Sequence, residues 1–124
     1  MHKSILLVDD DPIILFSLKE ILEYEGYIVY TAESTNTAIE VFGDNDISVV
    51  LTDLEMPGDN GDFLCRKIKK LKPETWVCAI TGNTGALNQS HNIDAQFDDY
   101  IPKPFNIDLM SKTIDRIFQK MEKE

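Results

Sequence analysis

Positive charge is scarce in this chain. Its 124 residues carry 12 Lys and Arg against 22 Asp and Glu, a formal net charge of -10. That balance argues against direct clamping of nucleic acid or of an anionic membrane surface. Long apolar runs are missing too, and none approaches the roughly 20 residues a membrane-spanning helix needs. The opening Met1-His2-Lys3-Ser4 leads straight into a strand-like segment, so no secretory signal is expected and the reading is cytoplasmic. Cysteine is limited to Cys65 and Cys78, whose spacing suits no metal site. Both are expected as reduced thiols inside a helix and a strand. Repeats, linkers and low-complexity segments are absent. What remains, at 43% hydrophobic and 27% charged, has the composition of a globular domain with one core, expected to span residues 1–124.

The chain is organised around Ile47-Ser48-Val49-Val50-Leu51-Thr52-Asp53, a β-branched run that stops on a carboxylate. It passes into a loop, Leu54 to Gly61, holding one Pro and two Gly. Such a run reads as a strand buried on both faces, as in parallel sheets covered by helices. In open α/β sheets, chemistry gathers just beyond the carboxyl ends of the strands. An acid there is costly to bury unless something pairs with it, coordinates it or reacts with it.

The flanking segments follow the same plan. Ser4–Val8 is a strand pattern ending in Asp9-Asp10-Asp11-Pro12, with Asp11 a helix cap and Pro12 its first residue. Ile14, Leu18, Ile21 and Leu22 recur at helical spacing, and Gly26 closes that helix. Tyr27–Thr31 is a second strand. Ser34 or Thr35 caps a shorter helix bearing Ala38, Ile39, Val41 and Phe42, closed by Gly43. Asp62 opens a third helix, with Leu64, Ile68 and Leu71, that stops near Pro73. Trp76–Thr81 is a fourth strand and Tyr100–Pro102 a short fifth. Asn106 caps a last helix with Ile107, Met110, Ile114, Ile117 and Met121 on one face. Between strands four and five, topology demands a crossover helix near Gly85–Ala95. Its composition is poor in strong helix formers, so a short, loosely held helix is expected. Five strand–helix alternations mean an α/β fold, a doubly wound parallel sheet with helices on both faces.

This architecture delivers Asp9, Asp10, Asp53, Thr81 and Lys103 to one rim. Three neighbouring carboxylates repel, and none ionises cheaply without a cation. A hard divalent ion is the natural remedy, and Mg²⁺ suits a site of few carboxylates plus water. Lys103 supplies a fixed positive charge for phosphoryl oxygens. Thr81 adds a hydroxyl donor. Asp53 is left as the nucleophile, able to accept a phosphoryl group as an acyl phosphate.

Leu7-Val8-Asp9-Asp10-Asp11, Leu51-Thr52-Asp53-Leu54-Glu55-Met56-Pro57-Gly58, Gly61, Ile80-Thr81-Gly82 and Asp99-Tyr100-Ile101-Pro102-Lys103-Pro104-Phe105 together resemble the receiver domain of two-component response regulators. The resemblance covers essentially the whole chain. It implies a flavodoxin-like (βα)5 fold with strand order 2-1-3-4-5, the order of a chemotaxis regulator of that family. It implies that Asp53 is the phosphoacceptor, taking phosphate from a histidine kinase or phosphotransfer protein. Asp10 and Asp53 are implied as direct Mg²⁺ ligands, with the backbone carbonyl of Glu55 as a third and Asp9 binding a metal-bound water. Lys103 is implied to pair with Asp53 and then with its phosphate, and the Lys103–Pro104 bond to be cis. Thr81 and Tyr100 are implied as a switch pair that remodels the face made by the fourth helix, the fifth strand and the last helix. That face is where a downstream effector, or a second copy of the chain, would dock. The loose helix expected at Gly85–Ala95 lies on it, which agrees with switching.

Two departures bear on that face. Gly82 stands where the family usually has Ala, which is expected to loosen the turn after Thr81. Gln96-Phe97 replaces the usual Gly-Ala ahead of the Asp-Tyr pair, so the cap of the fourth helix is expected to differ and Phe97 to pack at the output face. The side chain of Glu55, two residues past the acceptor, is expected to influence phosphate lifetime or metal affinity. His2 and His91 receive no role. The chain reads as a switch that acts only on itself rather than as an enzyme, either a stand-alone regulator or a receiver from a longer protein. Two alternatives have different chemistry. An aspartate-nucleophile phosphatase would use Asp53-Leu54-Glu55 as a two-carboxylate motif and turn over small phosphoesters. A flavodoxin-type carrier would need a Ser/Thr/Gly phosphate loop where Asp9 and Asp10 stand.

Overall fold

A computed structural model describes residues 3–56, 61–82 and 97–123. Five strands form a single parallel sheet: β1 (Ser4–Val8), β2 (Ile28–Ala32), β3 (Val49–Asp53), β4 (Trp76–Thr81) and β5 (Asp99–Pro102), in the order β2-β1-β3-β4-β5. Four helices are described: α1 (Pro12–Tyr24), α2 (Thr35–Asp44), α3 (Gly61–Leu71) and α4 (Ile107–Glu122). The expected crossover helix at Gly85–Ala95 lies outside the described residues, as do Pro57 to Asn60. Among the described residues no helix is long and apolar enough to cross a membrane.

The central strands are buried on both faces because their residues divide by parity. Ile5 and Leu7 of β1, with Val49 and Leu51 of β3, meet α1 and α4 through Leu18, Ile114 and Phe118. Leu6, Val8 and Val50 point the other way, into a cluster with Phe42 of α2 and Leu64 and Ile68 of α3. This period-2 division is why β1 and β3 read as unbroken apolar runs. Register then levels the strand ends: Val8 pairs with Thr52, Thr52 with Ala79 and Asp53 with Ile80. The residues just after β1 and at the end of β3 therefore emerge at the same rim.

Local signals account for most boundaries. Asp11 accepts from the Ile13 amide at 2.9 Å and Pro12 opens α1. Gly26 has φ +101, a left-handed position that favours glycine, and the Tyr27 amide bonds back to the Leu22 carbonyl. Tyr27 thus belongs to the helix end, and β2 begins one residue later than its side-chain pattern suggests. Gly43 does not close α2. The helix runs to Asp44, and the Asn45 side-chain amide donates to the Val41 carbonyl at 2.9 Å, satisfying one of the last carbonyls in place of a glycine turn. α3 begins at Gly61, with Asp62 in its first turn where a negative charge suits the helix dipole. On α4, Met110, Ile114 and Ile117 are buried as their spacing requires, but Ile107 is 41% exposed, and Phe118 is buried with the stripe. Cys65 and Cys78 are buried free thiols.

One tether crosses from the loop after α1 to α4. The Tyr27 ring stacks on Phe118 at 5.2 Å, and its hydroxyl donates to Asp115. Burial raises the Tyr27 pKa, and the hydrogen bond to Asp115 and the charges of Asp115, Glu25 and Glu122 raise it further. A raised folded-state pKa means the neutral phenol's contribution to stability is complete below the ordinary tyrosine range. It is lost as pH climbs through the elevated value. Tyr27→Phe should keep the stacking, lose about 1.5 kcal/mol in urea unfolding at neutral pH, and remove the alkaline fall in stability assigned to this group.

Candidate functional site

Asp53 ends β3, where the sheet stops and solvent begins, yet it is only 3% exposed. Its Oδ2 accepts from Lys103 Nζ at 2.8 Å and its Oδ1 from the Glu55 amide at 2.9 Å. Lys103 arrives from the turn after β5, fixed by its own amide, which donates to the Thr81 carbonyl at 2.8 Å. The Lys103–Pro104 bond is cis. Burial pulls the Lys103 pKa down, but the hydrogen bond to Asp53 and the charges of Asp53, Asp9 and Glu55 outweigh it, so the net shift is upward. The ammonium therefore stays charged at neutral pH.

Asp9 and Asp10 follow β1 on the other side of Asp53. Asp9 is 5% exposed and its Oδ1 accepts from the Asp11 amide at 2.9 Å, which orients the carboxylate. Burial raises the Asp9 pKa, as do the charges of Asp53 and Asp10, while the Asp11 amide and Lys103 oppose the rise. Asp10 faces solvent. One carboxylate oxygen from each of Asp9, Asp10 and Asp53 lies within 4.8 Å of the others. At that spacing the carboxylates repel one another, the buried Asp9 and Asp53 most and solvent-exposed Asp10 least, and one ammonium cannot offset three such charges. The donor set fits a hard divalent cation: all oxygen, with one carboxylate open to solvent where water would complete the shell.

Thr81, at the end of β4, is buried, and its Oγ1 donates to Glu55 Oε1 at 2.7 Å. The Gly82 amide donates to the same oxygen at 2.8 Å, and Glu55 Oε2 stands 3.7 Å from Lys103 Nζ. The Gly82 amide is thus held by Glu55, while the rest of the turn after Thr81, expected to be loosened, lies outside the described residues. A methyl group at Gly82 would meet Lys103 Cβ at 3.5 Å, an ordinary contact, so alanine would fit. Tyr100 on β5 is 40% exposed, its ring tilted against Phe97 at 5.9 Å. Phe97 is half-buried against the α2–α3 cluster; its neighbour Gln96 lies outside the described residues.

The structure therefore brings together Asp9, Asp10, Asp53, Lys103 and, through Glu55, Thr81. Tyr100 sits on the adjacent edge strand with its ring at the surface. Sequence reasoning missed what the Glu55 carboxylate touches. The available signal was a single acid two residues beyond the acceptor, which says that a charge is near the site but not which donors it finds.

The sequence matches the response regulator receiver domain family over residues 5–115. The chain belongs to that family. Solved receivers superpose on nearly all of it. A CheY-like response regulator receiver domain protein from Methanospirillum hungatei is 33% identical, with all of both chains covered and a TM-score of 0.85. A receiver domain protein from Clostridium thermocellum is 31% identical over 96% of each chain, with a TM-score of 0.84. The response regulator TrrA from Thermotoga maritima, solved in complex with Mg(2+)-BeF, is 32% identical over 92% of this chain and 97% of its own, with a TM-score of 0.80. This receiver, like others of two-component response regulators, is a signalling domain with a CheY-like fold.

Proposed function

We propose that this receiver is a phosphorylation switch whose acceptor is Asp53, phosphorylated in a Mg²⁺-dependent reaction by a histidine kinase or phosphotransfer protein. The observation that carries the reading is a nearly buried carboxylate held at 2.8 Å by a charged lysine, beside two further acids, at the carboxyl rim of the sheet. An Asp53 oxygen forms a bond to phosphorus as the bond from phosphorus to the donor histidine nitrogen breaks, and the imidazole leaves with its electron pair and is reprotonated from water. Lys103 binds a phosphoryl oxygen, and its charge opposes the negative charge carried by the transferring group. Asp9, Asp10, Asp53 and the backbone carbonyl of Glu55 would hold Mg²⁺, which when bound neutralises phosphoryl charge. Thr81 then donates to a phosphoryl oxygen, and Tyr100 turns inward behind it.

The exposed Ile107 and Leu109 of α4 and the exposed Tyr100 of β5 supply apolar surface for a downstream effector or for a second copy of the chain. The setting is cytoplasmic, and the domain acts on no substrate but itself. Intact-mass analysis after acetyl phosphate and Mg²⁺ tests the reading. One phosphoryl adduct per molecule, with phosphate release no faster than adduct loss, is the expected result. Sustained turnover of small phosphoesters without a stable adduct would point to a phosphatase instead.

A further inference from the structure

We propose that the Glu55 carboxylate is a resident anion which, in the unmodified protein, holds the donors that phosphoryl oxygens take up once Asp53 is modified. The proposal rests on the phosphorylation reading above and adds a resting-state lock to it. Among the described residues, two hydrogen-bond donors and one ammonium, from two segments, converge on this one side chain. The Thr81 hydroxyl and the Gly82 amide reach Oε1 at 2.7 and 2.8 Å, and Lys103 Nζ stands 3.7 Å from Oε2. Lys103 Nζ also holds Asp53 at 2.8 Å, so the glutamate and the acceptor share one ammonium.

Donor arithmetic makes the arrangement exclusive. A threonine hydroxyl carries one proton and a backbone amide one hydrogen, so neither fully serves Glu55 and a phosphoryl oxygen together. The ammonium has three and can serve both acids. The Thr81 hydroxyl and the Gly82 amide must therefore leave Glu55 if they are to reach Asp53-bound phosphate. The incoming charge also repels the glutamate, whose side chain is 42% exposed and has solvent to move into. Glu55 acts as a positioning residue: its side chain touches no reacting atom but sets where Thr81 points before the reaction and what must be displaced during it.

The test uses the whole chain and beryllofluoride as a phosphoryl probe, with Mg²⁺ saturating for each variant. The Gly82 amide and Thr81 methyl resonances are followed by NMR. Without probe, Glu55→Ala should move both resonances, because their anionic partner is gone. On titration it should bind beryllofluoride about tenfold more tightly than wild type, a gain of about 1.4 kcal/mol. Glu55→Gln keeps an acceptor for Thr81 but loses the charge, and should fall between the two. Equal or weaker binding by both variants overturns the lock, as do unmoved Gly82 and Thr81 resonances in probe-free Glu55→Ala. If wild type and both variants all fail to bind the probe, the phosphorylation reading itself falls and this proposal with it, a result distinct from tight but equal binding.

Discussion

Asp53→Asn is expected to yield no phosphoryl adduct under conditions where wild type gains one. The carboxamide keeps the shape and can still accept from Lys103, but its oxygen is a poor nucleophile and cannot form an acyl phosphate. Loss of the adduct would therefore report chemistry rather than unfolding, and stability makes the distinction measurable. Asp53 attracts one ammonium but is repelled by two acids within 4.8 Å, and it is itself buried. Removing its charge without metal should hold stability level or raise it by up to about 2 kcal/mol, because relieved repulsion and desolvation offset the lost pair. An adduct on Asp53→Asn at the wild-type level would show that another residue accepts the phosphate.

Lys103→Ala should be the most damaging single change that leaves the acceptor in place. It strips the cation from a carboxylate that is 3% exposed and faces Asp9, itself 5% exposed. Breaking a fully buried pair is expected to cost several kcal/mol; the lysine side chain is 26% exposed, so water softens this to about 2 kcal/mol in metal-free urea unfolding. Labelling by acetyl phosphate should slow on the order of 100-fold, the usual cost of losing one preorganised charge at a site of developing negative charge. The two effects are coupled through the cation. Mg²⁺ should raise the melting temperature of Lys103→Ala more than that of wild type, since the acids it would neutralise have lost their other counter-charge. Wild-type stability without metal, together with wild-type labelling, would mean that the Lys103–Asp53 contact has neither role.

Much of this was legible in the chain. The five strands and four of the helices could be placed because both faces of the sheet are covered, which forces central strands to be apolar throughout and helices to carry one apolar stripe. Asp11, Ser34 and Asn106 marked helix starts because their side chains do the capping themselves. The errors are local and share a cause. Gly43 looked like a stop because glycine so often is, but Asn45 satisfied the end of α2 instead. Ile107 fitted the helical stripe by spacing but lies exposed, and the core holds Phe118, whose partner Tyr27 lies 91 residues away in sequence. Spacing describes one element, whereas burial depends on what a distant element brings to meet it.

The same division runs through the site. Residue type and order alone determined that acids, a lysine and a threonine would gather at the carboxyl rim, because parallel topology sends every strand end there. Only the folded arrangement decided which groups meet. Asp53 is joined to Lys103 and not to Thr81, and the Thr81 hydroxyl is held by Glu55. Hydrogen bonds are made or missed over a few tenths of an ångström, a distance set by strand register and turn shape that no pattern of letters contains.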